Sequence, residues 1–255
     1  MRGFLTGVRM QLWLVRRQPD SLMTLCTIPF TTVMLLSIVI HAARPDLAAA
    51  AMIAPALIGL WTFSMSLASD VISGERWIGS LELGMSAPRE LHPVFLGRIA
   101  AVMALGVIPL GETWLLGWLF FDVAPSVHHP WLFALTMVAS LFAMAGTSLL
   151  IAAALLLSRN GDVFQNFLSF PIYLLSGVMV PVSYLPGFVE PLSRLVFLSW
   201  SADLMRDSMK DAPVSGEALR LLAIAVLGAL ALVAGRALLA ATLRRAREIG
   251  TVTYA

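Results

Sequence analysis

Residues 70–91 read DVISGERWIGSLELGMSAPREL, a charged connector set between two strongly apolar stretches. Asp70, Glu75, Arg76, Glu82, Arg89 and Glu90 crowd into it, although only 13% of the 255 residues are charged and 59% are hydrophobic. A soluble domain of this length builds its core from a smaller apolar share, so the composition is that of a multi-span, all-α membrane protein. A formal net charge of +2 gives no basis for nucleic-acid binding. The single cysteine, Cys26, lies in an apolar run and excludes a disulfide framework or a cysteine-based zinc site. Lys210 is the only lysine among many arginines, a usage typical of a high-GC bacterial genome.

Crossing a hydrocarbon core of about 30 Å takes about 20 apolar residues as helix, and open strands are excluded there. Six windows meet that requirement. Residues 22–43, 47–69, 131–157 and 163–182 contain no charge, 99–121 contains Glu112 alone, and 221–243 contains Arg236 alone. Pro29, Pro55, Pro109 and Pro171 fall inside four of these windows, where neighbouring helices tolerate a kink.

Six spans place both termini on one side, and arginine placement decides which. Twelve basic residues lie on the side of the termini: Arg2, Arg9, Arg16, Arg17, Arg76, Arg89, Arg98, Arg159, Arg236, Arg244, Arg245 and Arg247. Five lie opposite: Arg44, Arg194, Arg206, Lys210 and Arg220. Both termini are therefore expected in the cytoplasm of a bacterium, with the protein in its plasma membrane. Residues 1–40 lack the short apolar core and small-residue cleavage site of a signal peptide.

Residues 1–19 form a separate element. Arg2, Arg9 and Arg16 recur every seven residues on one helix face, while Phe4, Val8, Leu12 and Val15 follow a 3.6-residue period on another. The pattern predicts an amphipathic helix lying in the cytoplasmic interface and ended by Pro19, with a frayed basic tail as the alternative.

The connector joins spans two and three on the cytoplasmic side and is longer than a turn requires. Gly79 and Ser80 supply a helix start, Glu82 an acid in the first turn, and Pro88 a stop. Leu81, Leu83 and Met85 keep apolar side chains on a segment too short to span. Such a helix, over 75–88, either docks a soluble partner or lies on its own bundle.

Glu75-Arg76-x-x-Gly79-Ser80-Leu81-Glu82, with Pro88 six residues beyond, resembles the coupling-helix signature of type-2 ABC exporter permeases, a group that includes the daunorubicin-resistance-type permeases. A second stretch, GVMVPVSYLPGFVEPLSRLVFLSWSADLMR from Gly177 to Arg206, is similar to that family's outer motif. The residues that carry the likeness are Gly177, Pro181, Leu185-Pro186, Asp203 and Arg206. Where the family often has an Asn-Pro pair before the acid, this chain has Ser199-Trp200.

The resemblance implies a permease that pairs with a separate P-loop ATPase, two copies of each, exporting drugs, antibiotics or lipids, as in antibiotic resistance. No Gly-x4-Gly-Lys-Ser/Thr motif occurs in the chain, so ATP and Mg would be bound by the partner, and the chain carries no catalytic or metal site of its own. By the same resemblance Glu75, Arg76, Gly79, Leu81 and Glu82 form the coupling helix. We read Leu81 and Met85 as its anchors and Glu75, Arg76 and Glu82 as its charged rim. Residues 184–200, too polar to span, correspond to re-entrant helices capping the pathway, or else to an ordinary outer loop.

Glu112 is the one acid well inside a span, a candidate for the substrate path or for proton relay, and equally for a structural anchor. An ion-gradient transporter using Glu112, or an exporter of polysaccharide or glycolipid, are the alternative functions. An intramembrane enzyme finds no His-Glu-x-x-His or Gly-x-Ser-x-Gly motif here.

Overall fold

A computed structural model describes residues 2–17, 19–44, 47–78, 92–122, 126–155, 161–179, 182 and 187–249. Helices account for nearly all of them, and no strand occurs among the described residues. In chain order the helices are α1 (Arg2–Arg17), α2 (Pro19–His41), α3 (Ala48–Ile78), α4 (His92–Leu105), α5 (Ile108–Phe121), α6 (Pro130–Leu155), α7 (Gly161–Leu175), α8 (Glu190–Ser193), α9 (Phe197–Ser208) and α10 (Glu217–Ile249).

Among the described residues three stretches are long and apolar enough to cross a membrane: Ala100–Phe121, Pro130–Leu155 and Glu217–Thr242. Cys26–His41 of α2 and Ala50–Met65 of α3 are shorter apolar stretches. The molecule is a polytopic helical membrane protein.

The centre is α3. Met52, Ile53, Leu57, Leu60, Trp61 and Met65 are almost fully buried, because α3 packs on α2, α5, α6, α7 and α9. Pro29, Pro55 and Pro171 sit inside uninterrupted helices, whereas Pro109 lies at the start of a new one. Between α4 and α5 the ladder lapses over Gly106 and Val107, and proline at the first turn of α5 costs nothing because that N–H has no helical acceptor.

The most extensive packing joins α6 to α10. Ala143 is fully buried, and a Cβ added at Gly228 would stand 2.5 Å from its Cα. At Gly235 an added Cβ would meet the Leu150 nitrogen at 2.7 Å, and at Gly146 it would be driven onto the Gly228 carbonyl. In lipid no hydrophobic force draws helices together, so small residues that admit close backbone approach supply the attraction. Two buried hydroxyls on α6 find partners within the protein: Thr136 donates to Leu132 O at 2.8 Å, and Ser140 lies 2.8 Å from Ser201 Oγ of α9.

Gly228→Leu should therefore cost about 3 kcal/mol through overpacking, whereas Gly111→Ala, where an added Cβ meets nothing within 4 Å, should cost almost nothing. Thermal unfolding of the two variants in mild detergent checks the contrast; equal losses would contradict the packing.

Candidate functional site

α7 is 15 residues long and ends at Leu175. Ser176 still donates to Ile172 O at 2.8 Å, but Gly177 takes φ +65°, a left-handed conformation that only glycine adopts without strain, and the chain leaves the helix. In the last turn Ile172 O is met by Ser176 N and Leu174 O by Gly177 N, but the carbonyls beyond, of Gly177 and Val178, belong to buried residues and need a donor. Their donor comes from 29 residues along the chain: Arg206 Nη2 bonds Gly177 O at 2.8 Å and also Val178 O.

Arg206 lies on α9 and is itself buried. One turn earlier Asp203 divides its carboxylate, with Oδ1 3.5 Å from Arg206 Nη1 and Oδ2 2.8 Å from Arg194 Nη1. Arg194 reaches Glu190 at 4.0 Å and stacks over the Trp200 ring at 4.7 Å, while Trp200 Nε1 donates to Arg194 O at 2.9 Å. Burial lowers the pKa of the Arg206 guanidinium, and the charges of Asp203 and Asp207 oppose that shift. Even so, Nε and Nη1 of Arg206 have no hydrogen-bond partner.

A second cluster closes the far end of α9. Asp207 receives Arg220 Nη1 at 2.6 Å and Lys210 Nζ at 2.9 Å. Burial pushes its carboxyl pKa up, but hydrogen bonds and charge from Lys210 and Arg220 outweigh this and hold it below the ordinary 3.8. The α5–α6 loop joins the same place, because His129 N donates to Ser208 O at 2.9 Å. His128 Nδ1 donates to Met209 O at 2.8 Å and His129 Nε2 to Ala212 O at 3.2 Å, which fixes the protonated nitrogen of each ring.

The structure thus brings Gly177, Asp203 and Arg206 together. Pro181, Leu185 and Pro186 lie outside the described residues, as do Gly79, Leu81, Glu82 and Met85. Glu75 and Arg76 fall in the last turns of α3. Glu112 stands apart on α5; its Oε2 is buried and accepts no hydrogen bond. No cluster of three or more metal-binding side chains occurs among the described residues.

Sequence reasoning missed Arg194, Asp207 and Arg220 in this network, although Glu190–Arg194 and Asp207–Lys210 have the helical spacings that bring side chains together. It also missed the polar ties between α3 and α7. Thr62 Oγ1 and Tyr173 Oη share a 2.6 Å hydrogen bond, and Trp61 Nε1 donates to Ser169 Oγ at 3.3 Å.

The model of the family described as "ABC-2 type transporter" matches residues 3–210, from the first turn of α1 past the end of α9. The chain belongs to the ABC-2 type transporter family. It is thus a multi-pass ABC-transporter membrane subunit, and membership implies association with an ATPase subunit. This ABC-2 type chain is also similar to Nodulation protein J of Sinorhizobium fredii (strain NBRC 101917 / NGR234), with 36% identity over 99 residues. That alignment covers 37% of the chain and 37% of the relative, so the chain spans little more than a third of that relative's length.

Two outcomes follow for the outer network. Arg206→Met removes a buried donor and should lower stability by about 3 kcal/mol, while Arg194→Met, at a third-exposed site, should cost about 1 kcal/mol or less; thermal unfolding that reverses the order would overturn the assignment. Asp207 is more acidic folded than unfolded, so the unfolded chain takes up its proton first as pH falls. Its stabilising contribution, full above about pH 5, should vanish as pH drops through the depressed folded value. Unfolding curves for wild type and Asp207→Asn should then differ at pH 6 to 7 and draw together in acid.

Proposed function

We propose that this chain is the six-span permease subunit of an exporter, two copies assembling with two ATPase subunits and both termini in the cytoplasm. Its cargo is amphipathic: drugs, antibiotics or lipids leaving through the bacterial plasma membrane. The observation that carries the reading is the ABC-2 match over residues 3–210, which takes in the charged connector together with the outer Gly177–Asp203–Arg206 network. ATP and Mg belong to the partner subunit, whose hydrolysis supplies the energy.

The helix contacts support a route for force in such a machine. Residues 79–91 continue directly from α3 and lead directly into α4, so a partner seated on Leu81 and Met85, oriented by Glu75, Arg76 and Glu82, pulls on both helices. α3 touches most of the bundle, and Thr62–Tyr173 and Trp61–Ser169 tie it to α7. Movement of α7 then bears on the carbonyls of Gly177 and Val178, where Arg206 joins it to the outer helices. In this reading the outer helices cap the pathway and Glu112 faces it, available to a cationic cargo.

Mild-detergent affinity purification from the native host tests the proposal. A P-loop ATPase should copurify with the wild type and be lost from Glu82→Arg, whereas Glu112→Gln should keep the ATPase and lose transport. Wild-type protein that arrives alone and drives flux from an ion gradient would refute the exporter.

A further inference from the structure

Only one stripe of α1 is covered. Gly7, Gln11 and Val15, four residues apart, face α4. A Cβ on Gly7 would strike the Val94 carbonyl, and one on Gly97 the Phe4 carbonyl, so the two helices meet at backbone distance. Beside that contact Arg98 Nε donates to Gln11 Oε1 at 3.0 Å, with both residues buried. α1 is therefore fixed to α4 by shape and by a buried charge-assisted hydrogen bond.

The opposite side of α1 is bare. Arg9 and Arg16, seven residues apart, share an exposed face. Leu5 and Leu12 make a parallel exposed row beside them. Arg17 completes the basic surface and lies 4.0 Å over the ring of Trp13, itself about half exposed. α1 ends at Arg17 and α2, an apolar helix, begins at Pro19, so this end of α1 sits where the chain enters the bilayer.

We propose that the Arg9–Arg16–Arg17 face binds the headgroups of anionic phospholipids, and that the lipid thereby holds α4, the helix into which the charged connector runs. Guanidinium groups pair with phosphate through two parallel hydrogen bonds, and leucines alongside reach the acyl boundary while the arginines stay with the headgroups. The tryptophan under Arg17 belongs to the same depth. An acidic protein surface would satisfy the arginines, but the join to α2 places the row at the membrane rather than above it. The headgroup site stands on α1 alone; its effect on coupling rests on the exporter reading above.

The test uses the full chain in phosphatidylcholine vesicles carrying a trace of spin-labelled phosphatidylglycerol or spin-labelled phosphatidylcholine, with no ATPase present. Electron paramagnetic resonance gives the relative association of the two lipids with the protein. The wild type should prefer phosphatidylglycerol, and Arg9→Gln/Arg16→Gln/Arg17→Gln should reduce that preference about threefold, as should high salt. All three side chains are exposed, so the variant should unfold at the wild-type temperature. No preference in the wild type, or an unchanged preference in the triple variant, overturns the proposal. An unchanged preference combined with loss of ATPase copurification assigns the face to a protein partner instead. Because the lipid readout needs no ATPase, failure of the exporter reading leaves it intact.

Discussion

A helix that stops beside a bilayer leaves its last carbonyls facing a medium that offers no donors, and each one left so costs several kcal/mol. α7 stops in this way, about 22 Å long by its 15 residues and so shorter than the hydrocarbon core of about 30 Å. The two buried carbonyls just beyond its end, of Gly177 and Val178, are met by Arg206, brought back from α9. A charged donor buried for that purpose needs a counter-charge, and Asp203 supplies it. Asp203 in turn fixes Arg194, and with it the segment containing α8, so the contacts at one chain break tie α7, α8 and α9 together.

Two kinds of contact divide the bundle. α6 and α10 are locked by Gly146, Gly228 and Gly235, whose close approach leaves no room to slide without collision. α3 and α7 meet through hydroxyl and indole hydrogen bonds, which break and re-form at far smaller cost than a repacked glycine seam. A transporter needs one part that stays still and another that shifts against it. Under the exporter proposal, the glycine seam suits α6 and α10 to the first role and the hydrogen-bonded contact suits α7 to the second.

The helical architecture was legible because length and charge-free composition report directly on a hydrocarbon slab, and the 3.6-residue period of residues 1–19 announced α1. Which side of α1 is covered was not legible. Hydrophobic periodicity points to Phe4, Val8, Leu12 and Val15, yet Gly7 and Gln11 face α4 while Phe4 and Leu12 remain exposed. Periodicity registers oiliness, whereas the contact is decided by the absent side chains of Gly7 and Gly97. Likewise Asp203 and Arg206 could be paired from their three-residue spacing, but nothing local announces that Gly177, 29 residues away, is what Arg206 serves. Pro29, Pro55 and Pro171 lie inside helices, as tolerated prolines within spans would, whereas at Pro109 the helix restarts after the lapse at Gly106 and Val107, which the window 99–121 did not announce.

Charge in this protein is therefore rationed by depth. Inside the protein, where water is excluded, the ionised group that matters most, Arg206, is consumed in bonding the carbonyls of Gly177 and Val178. Where water or headgroups return, charge becomes available for binding, in the connector at residues 79–91 and along the bare side of α1. α4 lies between these two places, continuous with the connector and keyed to α1 at Gly97 and Arg98. If the exporter and headgroup proposals both hold, a force applied to the connector must move α1 against the leaflet or leave α4 where it is, and the membrane surface is then one of the restraints that a transport stroke works against.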